Sequence, residues 1–179
     1  MRQGRKNSGP ASDAERELVA EGRSFEAVDP RIVRFIGRHR VLTLATASAE
    51  GALWCCNLFY AYLPQGKVPG DDSSTGGAFV FTSPADTEHA RMFADSPRVA
   101  GSVVLESKVV GRLQGLQFQG EICPADATPE LLALTRGAYL KRFPFAAPML
   151  SDLWILRLAR LKYTDNTLGF GTKLIWNNK

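Results

Sequence analysis

The stretch at residues 78–97, AFVFTSPADTEHARMFADSP, decides the fold, because it joins a buried strand to a short helix through a tight turn. Its first five residues favour a strand. Ser83 and Pro84 end that strand, since proline fixes φ and pushes its predecessor into an extended conformation. A helix follows from residue 86, with Met92 and Phe93 on one apolar face. We therefore predict a strand, a turn and a helix in this order.

The junction between that strand and that helix allows two interpretations. The first N–H groups of a helix lack partners within it and carry the positive end of the dipole, so they can hold a phosphate. Three hydroxyls and one imidazole stand beside them: Thr82, Ser83, Thr87 and His89. Alternatively, SPAD at 83–86 is a capping box with proline in the first helical position, which closes the helix without a ligand. Asp86 and Glu88 would repel an anion.

Composition indicates one soluble domain: 179 residues, 45% of them hydrophobic and 22% charged. No apolar run reaches the length of a membrane span and the N-terminus is too polar for a signal peptide, so we expect a cytoplasmic protein without membrane association. The net charge of +4 comes without a basic stripe interleaved with aromatics, which argues against nucleic-acid binding. Three cysteines and two histidines predict no metal site, and we expect Cys55 and Cys56 to be buried.

The first half of the chain divides into an extension and the start of a domain. Residues 1–28 are polar and predicted to be partly disordered, with a weak helix at 14–21, and a single domain follows at 29–179. Asp29 and Pro30 begin a helix. Strands at 41–48 and 53–63 form a hairpin, and 64–77 is a loop. Asn57 is expected to be a buried amide that must bond to the backbone or to a ligand.

The second half adds three strands and a helix. The strand at 98–106 contains Gly101, where a neighbouring backbone or a ligand comes close. A strand at 110–123 alternates apolar and polar residues, with a bulge at Gly115. Thr128 caps a helix at 129–143, and the apolar phase of the strand at 153–164 slips at Ala159 and Arg160, which indicates another bulge. Six strands with short connections predict a mainly β protein, a six-stranded antiparallel barrel with flanking helices.

Several segments, in this order, resemble the FMN-binding split-barrel superfamily, whose best-known member is pyridoxamine 5′-phosphate oxidase. They are FVFTS with its helix, RVAGSVV, LQGLQFQGEI and KYTDNTLGFGTKLIW; the motifs LWCCNLFY, GLQFQGEI, KRFP and TDNTLGFG resemble a small bacterial branch of it. The resemblance implies a split β-barrel that binds FMN, a homodimer with the flavin at the interface, and hydride transfer between a reduced cofactor and a small organic substrate.

The resemblance also implies a set of site residues. The FMN phosphate would lie at the strand-to-helix junction, with Thr87 at a hydroxyl position and His89 at a basic one, while Glu88 stands where an arginine is usual. The further cofactor-binding residues would be Thr82, Ser83 and Arg91 at the phosphate, Trp54, Asn57 and Gln117 at the flavin ring, and Lys173 and Trp176 reaching the partner's site. TDNTLGFGTKLIW lacks the arginine and histidine that hold pyridoxal, so we do not expect pyridoxamine phosphate oxidation.

Three alternatives remain open at this stage. The first alternative is a non-catalytic protein that binds flavin or haem; if it binds haem, the iron ligand would have to be His39 or His89. The second is a dimeric domain that has lost its cofactor site. The third is a protein that binds a deazaflavin instead of FMN. No side chain in the sequence is a convincing catalytic acid or base.

Overall fold

A computed structural model describes residues 27–69, 75–169 and 171–178. The predicted N-terminal extension, with its helix at 14–21, lies outside these ranges except for its last two residues. The centre of the predicted loop at 64–77 lies outside them too. None of the helices in these ranges combines the length and the hydropathy that a membrane crossing requires.

Three α-helices flank the sheet: α1 (Pro30–Arg38), α2 (Glu88–Asp95) and α3 (Pro129–Arg142). The Asp29 carboxylate caps α1 by accepting a hydrogen bond from the Arg31 backbone N–H at 2.8 Å. The Thr128 hydroxyl caps α3 in the same way, 3.1 Å from the Leu131 N–H. Both predicted helix starts are confirmed, because a capping oxygen and a following proline define each one.

The strands are β1 (Val41–Ala47), β2 (Leu53–Phe59), β3 (Ala61–Leu63), β4 (Ala78–Thr82), β5 (Arg98–Leu105), β6 (Gln114–Pro124), β7 (Leu153–Asp165) and β8 (Lys173–Asn177). They form one antiparallel sheet in the order β2-β1-β5-β6-β7-β4-β3, with β8 also paired to β7. The predicted fold class, a mainly β split barrel with flanking helices, is confirmed, with eight strands instead of six.

The two additional strands have identifiable causes. The predicted strand at 53–63 is interrupted at Tyr60, whose N–H donates to the Arg40 carbonyl at 3.0 Å. Its first part therefore pairs with β1 and its last part with β4. The C-terminal tail supplies β8, which pairs with the second half of β7 while β4 pairs with the first half.

One bulge interrupts the pairing of β6 with β7. Gln119 pairs with Arg160 and Gly120 with Leu158, so Ala159 is the extra residue. The bulge predicted at Ala159 and Arg160 is confirmed. The bulge predicted at Gly115 is wrong, because that residue stays in register with both neighbouring strands.

Two hydrophobic cores lie on opposite sides of the sheet. The larger fills the barrel and receives aromatic rings that include Tyr60, Phe79, Phe81, Phe93 and Phe118. The smaller lies between α3 and the outer side of β3, β4 and the start of β7. The same side of β2, β1, β5, β6 and the second half of β7 carries exposed side chains, and we call it the outer sheet face.

The uncovered edge strand β2 accounts for two wrong predictions of burial. Cys55 and Asn57 are exposed, and the Asn57 amide oxygen accepts a hydrogen bond from the Thr43 hydroxyl at 2.9 Å. Cys56 is half-buried, which raises the pKa of its thiol to about 11. The close approach predicted at Gly101 is confirmed, because a Cβ there would collide with the Thr43 carbonyl and the Phe118 ring.

Candidate functional site

The strand-to-helix junction does not contain the predicted capping box. Helix α2 begins at Glu88 with Thr87 as its N-cap, so Pro84 is not its first residue. The Thr87 hydroxyl makes no capping bond to the helix and donates instead to the Pro84 carbonyl at 2.9 Å. The first turn of α2 is thus left without a side-chain cap, so Thr87 satisfies none of its first N–H groups.

Ser83, Thr87 and His89 form a hydroxyl–imidazole cluster at this point. The Ser83 hydroxyl lies 2.7 Å from His89 Nε2 and 3.2 Å from the Thr87 hydroxyl, and Thr87 lies 3.2 Å from the same ring nitrogen. Ser83 is only 5% exposed and His89 is half-buried. Burial lowers the pKa of His89, so the ring is neutral at pH 7. The cluster can donate and accept hydrogen bonds but brings no positive charge.

The carboxylates around the cluster oppose an anionic ligand. Asp152 accepts a hydrogen bond from the Ala85 N–H at 2.8 Å, which fills one main-chain donor with a carboxylate of the protein. Arg91 donates to the Asp86 carbonyl and lies 3.7 Å from the Glu88 carboxylate. The Arg91 guanidinium, which was predicted to help bind a phosphate, therefore contacts the Asp86 carbonyl and the Glu88 carboxylate instead.

Thr82 anchors the end of β4 instead of joining the cluster. Its hydroxyl lies 3.0 Å from the Ser151 hydroxyl and donates to the Asp152 carbonyl at 3.1 Å. Trp154 Nε1 adds a hydrogen bond to the Ser83 carbonyl at 2.9 Å. Of the residues predicted at the phosphate, the structure brings together Ser83, Thr87 and His89 only.

The residues predicted at the flavin ring lie on two sides of the sheet. Register places Asn57, Thr43, Ser102, Gln117 and Lys162 directly opposite one another in a polar row across the outer sheet face. Asn57 and Gln117 share this face but are three strands apart, about 14 Å. Trp54 pairs with the buried Thr46, so it belongs to the other side of β2, where it is 49% exposed.

The two residues predicted to reach a partner's site differ in position. Lys173 begins β8 and is half-buried. Trp176 is 4% exposed and packs in the core of its own chain, beside Gly76. The prediction that Trp176 reaches a partner is therefore wrong.

His39 has the geometry of a ligand-ready imidazole at the end of α1. Its Nδ1 lies 2.8 Å from the Phe35 carbonyl, and its ring centroid is 4.1 Å from the Phe35 ring. A carbonyl can only accept, so Nδ1–H donates this hydrogen bond and Nε2 is the ring nitrogen left for another partner. Arg38 and Arg40 on either side are exposed. In the described ranges, no group of three or more His, Cys, Asp or Glu side chains could hold a metal ion.

Two residues after His39 along the chain, the outer sheet face begins with an apolar patch at the start of β1. Val41 and Phe59 pair with each other and are 44% and 52% exposed, and Val104 on β5 is 62% exposed. A patch of this kind on a soluble protein marks a binding or association surface. The alternating residues of β1 and β5 predict two faces for each strand, but the sequence alone does not predict which of the two faces a helix covers.

Cationic residues that the sequence analysis did not single out lie at the other end of the same face. Arg98 and Arg157 line a cavity of 690 Å³, and Arg160 and Lys162 line a neighbouring one of 340 Å³ that also contains Gln117. One sequence signal concerned these residues. The break in the alternation of apolar residues at Ala159 predicted a bulge, and the bulge determines the face to which Arg160 points.

A single antiparallel sheet curled around an aromatic core, with β7 shared between β4 and β8, defines a split-barrel protein. The chain belongs to the UPF0306 family. It is 40% identical over 145 residues to the UPF0306 protein YhbP of Escherichia fergusonii, which covers 81% of this chain and 90% of the relative. It is 39% identical over 152 residues to the UPF0306 protein of Cronobacter sakazakii, covering 85% and 96%. No family model matches the chain.

Solved structures of the same fold include proteins named for haem. A haem binding protein from Mycobacterium smegmatis matches with a TM-score of 0.60 and 22% identity, over 95% of this chain and 60% of that one. The haem storage protein HutZ from Vibrio cholerae matches with 0.59 and 18%, over 74% and 90%. ChuZ from Campylobacter jejuni matches with 0.64 and 14%, over 87% and 61%. At these identities the likeness shows the fold.

Proposed function

We propose that this protein is a haem-binding split-barrel protein with His39 as the iron ligand. Solved structures that share its fold include a haem binding protein and a haem storage protein. The observation in this chain that carries the proposal is the His39 ring, whose Nδ1–H is held by the Phe35 carbonyl at 2.8 Å. Metal-bound histidines commonly donate their second nitrogen to such a carbonyl, which orients the ring and leaves the other nitrogen for the metal.

The chain on either side of His39 offers groups for the two other parts of haem. The exposed patch of Val41, Phe59 and Val104 offers an apolar surface for the porphyrin face. Arg38 and Arg40 are exposed beside it and can pair with carboxylates such as the propionates. His89 suits iron less well, because its Nε2 already lies 2.7 Å from the Ser83 hydroxyl.

Absorbance titration with haemin tests this proposal. The wild-type protein is expected to retain haemin after gel filtration and to show a shifted Soret band. His39→Ala should weaken binding and change the band, because the proposed iron ligand is removed, while the matched variant His89→Ala should bind as the wild type does. Loss of binding in His89→Ala alone would contradict the role of His39, and a wild-type protein that retains no haemin would contradict haem binding.

FMN binding is a second candidate, and the hydroxyl–imidazole cluster is the observation that favours it. Ser83, Thr87 and His89 meet at the first turn of α2, which has no side-chain cap. Such a turn suits a phosphate, although Asp152 and Glu88 weaken its affinity for anions. The cofactor would supply hydride chemistry and the chain its orientation. A deazaflavin with a phosphate would use the same contacts.

Titrations with FMN and riboflavin separate this candidate from haem binding. FMN should bind more tightly than riboflavin, which lacks the phosphate, and His89→Ala should remove that difference. Glu88→Arg should tighten FMN binding, since it exchanges a repulsive charge for an attractive one. Equal binding of FMN and riboflavin would contradict a phosphate site at the cluster.

A further inference from the structure

A groove with cationic walls crosses one end of the outer sheet face. Its cavity of 690 Å³ falls within the range of small-molecule sites, about 300–1,000 Å³. Small side chains of β1, β5 and β7 lie along it: Ala45, Ala47, Ala100 and Ala159. Arg98 and Arg157 also line it. We call this cavity the arginine groove.

The two arginines stand at a fixed spacing. Arg98 on β5 pairs with Glu121 on β6, and Glu121 pairs in turn with Arg157 on β7. Directly opposite residues point to the same face, so the three side chains form a ladder with two positive charges around one negative charge. The arginine Cα atoms are two strand spacings apart, about 9–10 Å.

Neither arginine is neutralised by the described part of the chain. Glu121 is their direct neighbour, yet no ion pair within 4.0 Å and no hydrogen bond joins it to Arg98 or Arg157, and neither guanidinium has another such partner there. A charged group placed over apolar surface gains most from a ligand that completes its hydrogen bonds. The guanidinium groups of Arg98 and Arg157 are therefore available to donate hydrogen bonds to a ligand in the groove.

The bulge in β7 places a further cation, Arg160 of the neighbouring cavity, on the same face as Arg157. In a regular strand residues 157 and 160 would point to opposite faces. The extra residue Ala159 puts both Arg157 and Arg160 on the outer sheet face, while Leu158 and Leu161 both stay in the core. Bulges commonly re-aim side chains in this way beside binding sites.

We propose that the arginine groove binds a small molecule with a flat apolar body and two carboxylate groups. The body lies on the alanines, and one carboxylate pairs with each arginine, so that the two anionic groups straddle Glu121 instead of meeting it. Ala45, the first residue of β1 that lines the groove, lies four residues after Val41, about 13 Å along the strand. The groove shares no residue with the proposed haem site and does not depend on it.

Calorimetric titration with naphthalene-2,6-dicarboxylate tests the proposal, with its neutral dimethyl ester as the matched ligand. The diacid should bind the full chain, and Arg98→Gln and Arg157→Gln should each weaken binding about tenfold or more, because each removes a charged hydrogen-bond donor. Glu121→Gln should tighten binding several-fold by removing a repulsive charge. Arg136→Gln, on the exposed side of α3, is the charge-matched control and should change nothing.

Three results would overturn the proposal. They are absence of binding at millimolar diacid, equal affinity for the diacid and the ester, and unchanged affinity in the double variant Arg98→Gln, Arg157→Gln with an unaltered thermal midpoint. A protein that binds the diacid through these arginines but retains no haemin would overturn the haem proposal alone.

Discussion

At the scale of single residues, His89 makes the free energy of unfolding depend on pH. Its pKa is lowered by burial, and the ring shares hydrogen bonds with Ser83 and Thr87. In the unfolded chain the ring has its ordinary pKa near 6.5 and takes up a proton more readily. The unfolded state therefore binds more protons as the pH falls below about 6.5, and acid reduces the free energy of unfolding through this group.

We expect the variant His89→Gln to lose part of this acid sensitivity. Glutamine keeps a hydrogen-bonding side chain at the cluster but does not titrate. Urea unfolding at pH 7.5 and pH 5.5 should show a smaller drop in the free energy of unfolding for the variant than for the wild type. Equal drops in the two proteins would mean that protonation of His89 does not contribute.

Two glycines give opposite predictions for the same substitution. Gly101→Ala should lower the free energy of unfolding by about 1–3 kcal/mol, because its Cβ collides with the Thr43 carbonyl and the Phe118 ring and a backbone atom cannot move aside. Gly37→Ala should raise it by about 0.5–1 kcal/mol, because that glycine is helical and nothing lies within 4 Å of its Cβ position. Thermal unfolding of both variants checks the signs, and a neutral Gly101→Ala would contradict the close approach.

At the scale of elements, the bulge in β7 predicts that the fold tolerates deletion of its extra residue, Ala159. Removing Ala159 would restore one-to-one pairing of β6 with β7 and keep Leu158 and Leu161 in the core. Removing Ala100, an equally exposed alanine on β5, would turn every side chain on one side of the deletion to the wrong face. We expect the first variant to fold and the second to lose cooperative unfolding by circular dichroism.

The comparison of these two deletions is decisive for the bulge. If removal of Ala159 damages the fold as much as removal of Ala100 does, the extra residue is needed for the bend between the parts of β7 that pair with β4 and β8. If it is tolerated, the extra residue is not needed for the fold.

The elements that the sequence predicted well are those set by local chemistry. The caps at Asp29 and Thr128, the alternation of β6 and the slip at Ala159 each depend on neighbours along the chain. The errors depend on distant contacts. The interruption at Tyr60 follows from pairing with two different strands, and the exposure of Cys55 follows from the position of α3 over the other half of the sheet.

In the candidate site, too, the features set by neighbours along the chain were predictable and those set by distant contacts were not. Ser83, Thr87 and His89 are close in sequence, so their meeting was predictable from a turn and a helix. The groups on the outer sheet face come from β1, β2, β5, β6 and β7, and only the register of the whole sheet brings them together. Trp176 illustrates the limit, because an aromatic residue near a chain end reads equally well as a core or an interface residue.

At the scale of the whole molecule, the outer sheet face predicts self-association. Phe59 and Val104 are 52% and 62% exposed at one end of this face and Leu53 is 80% exposed at the other, and large exposed apolar side chains often mark a contact surface. We propose that two copies of the chain associate through it to form a homodimer. The arginine groove opens on the same face, so association would also enclose ligands bound there.

Sedimentation velocity tests this association directly. We expect the wild type to sediment as a dimer, twice the chain mass of 19.6 kDa, at micromolar concentration. The double variant Leu53→Glu, Val104→Glu should sediment as a monomer, because four like charges would then be buried in a symmetric interface. Leu132→Glu is the matched control, since Leu132 is 39% exposed on α3, and it should remain dimeric. A monomeric wild type, or a control as disrupted as the double variant, would show that the outer sheet face is not the contact between copies.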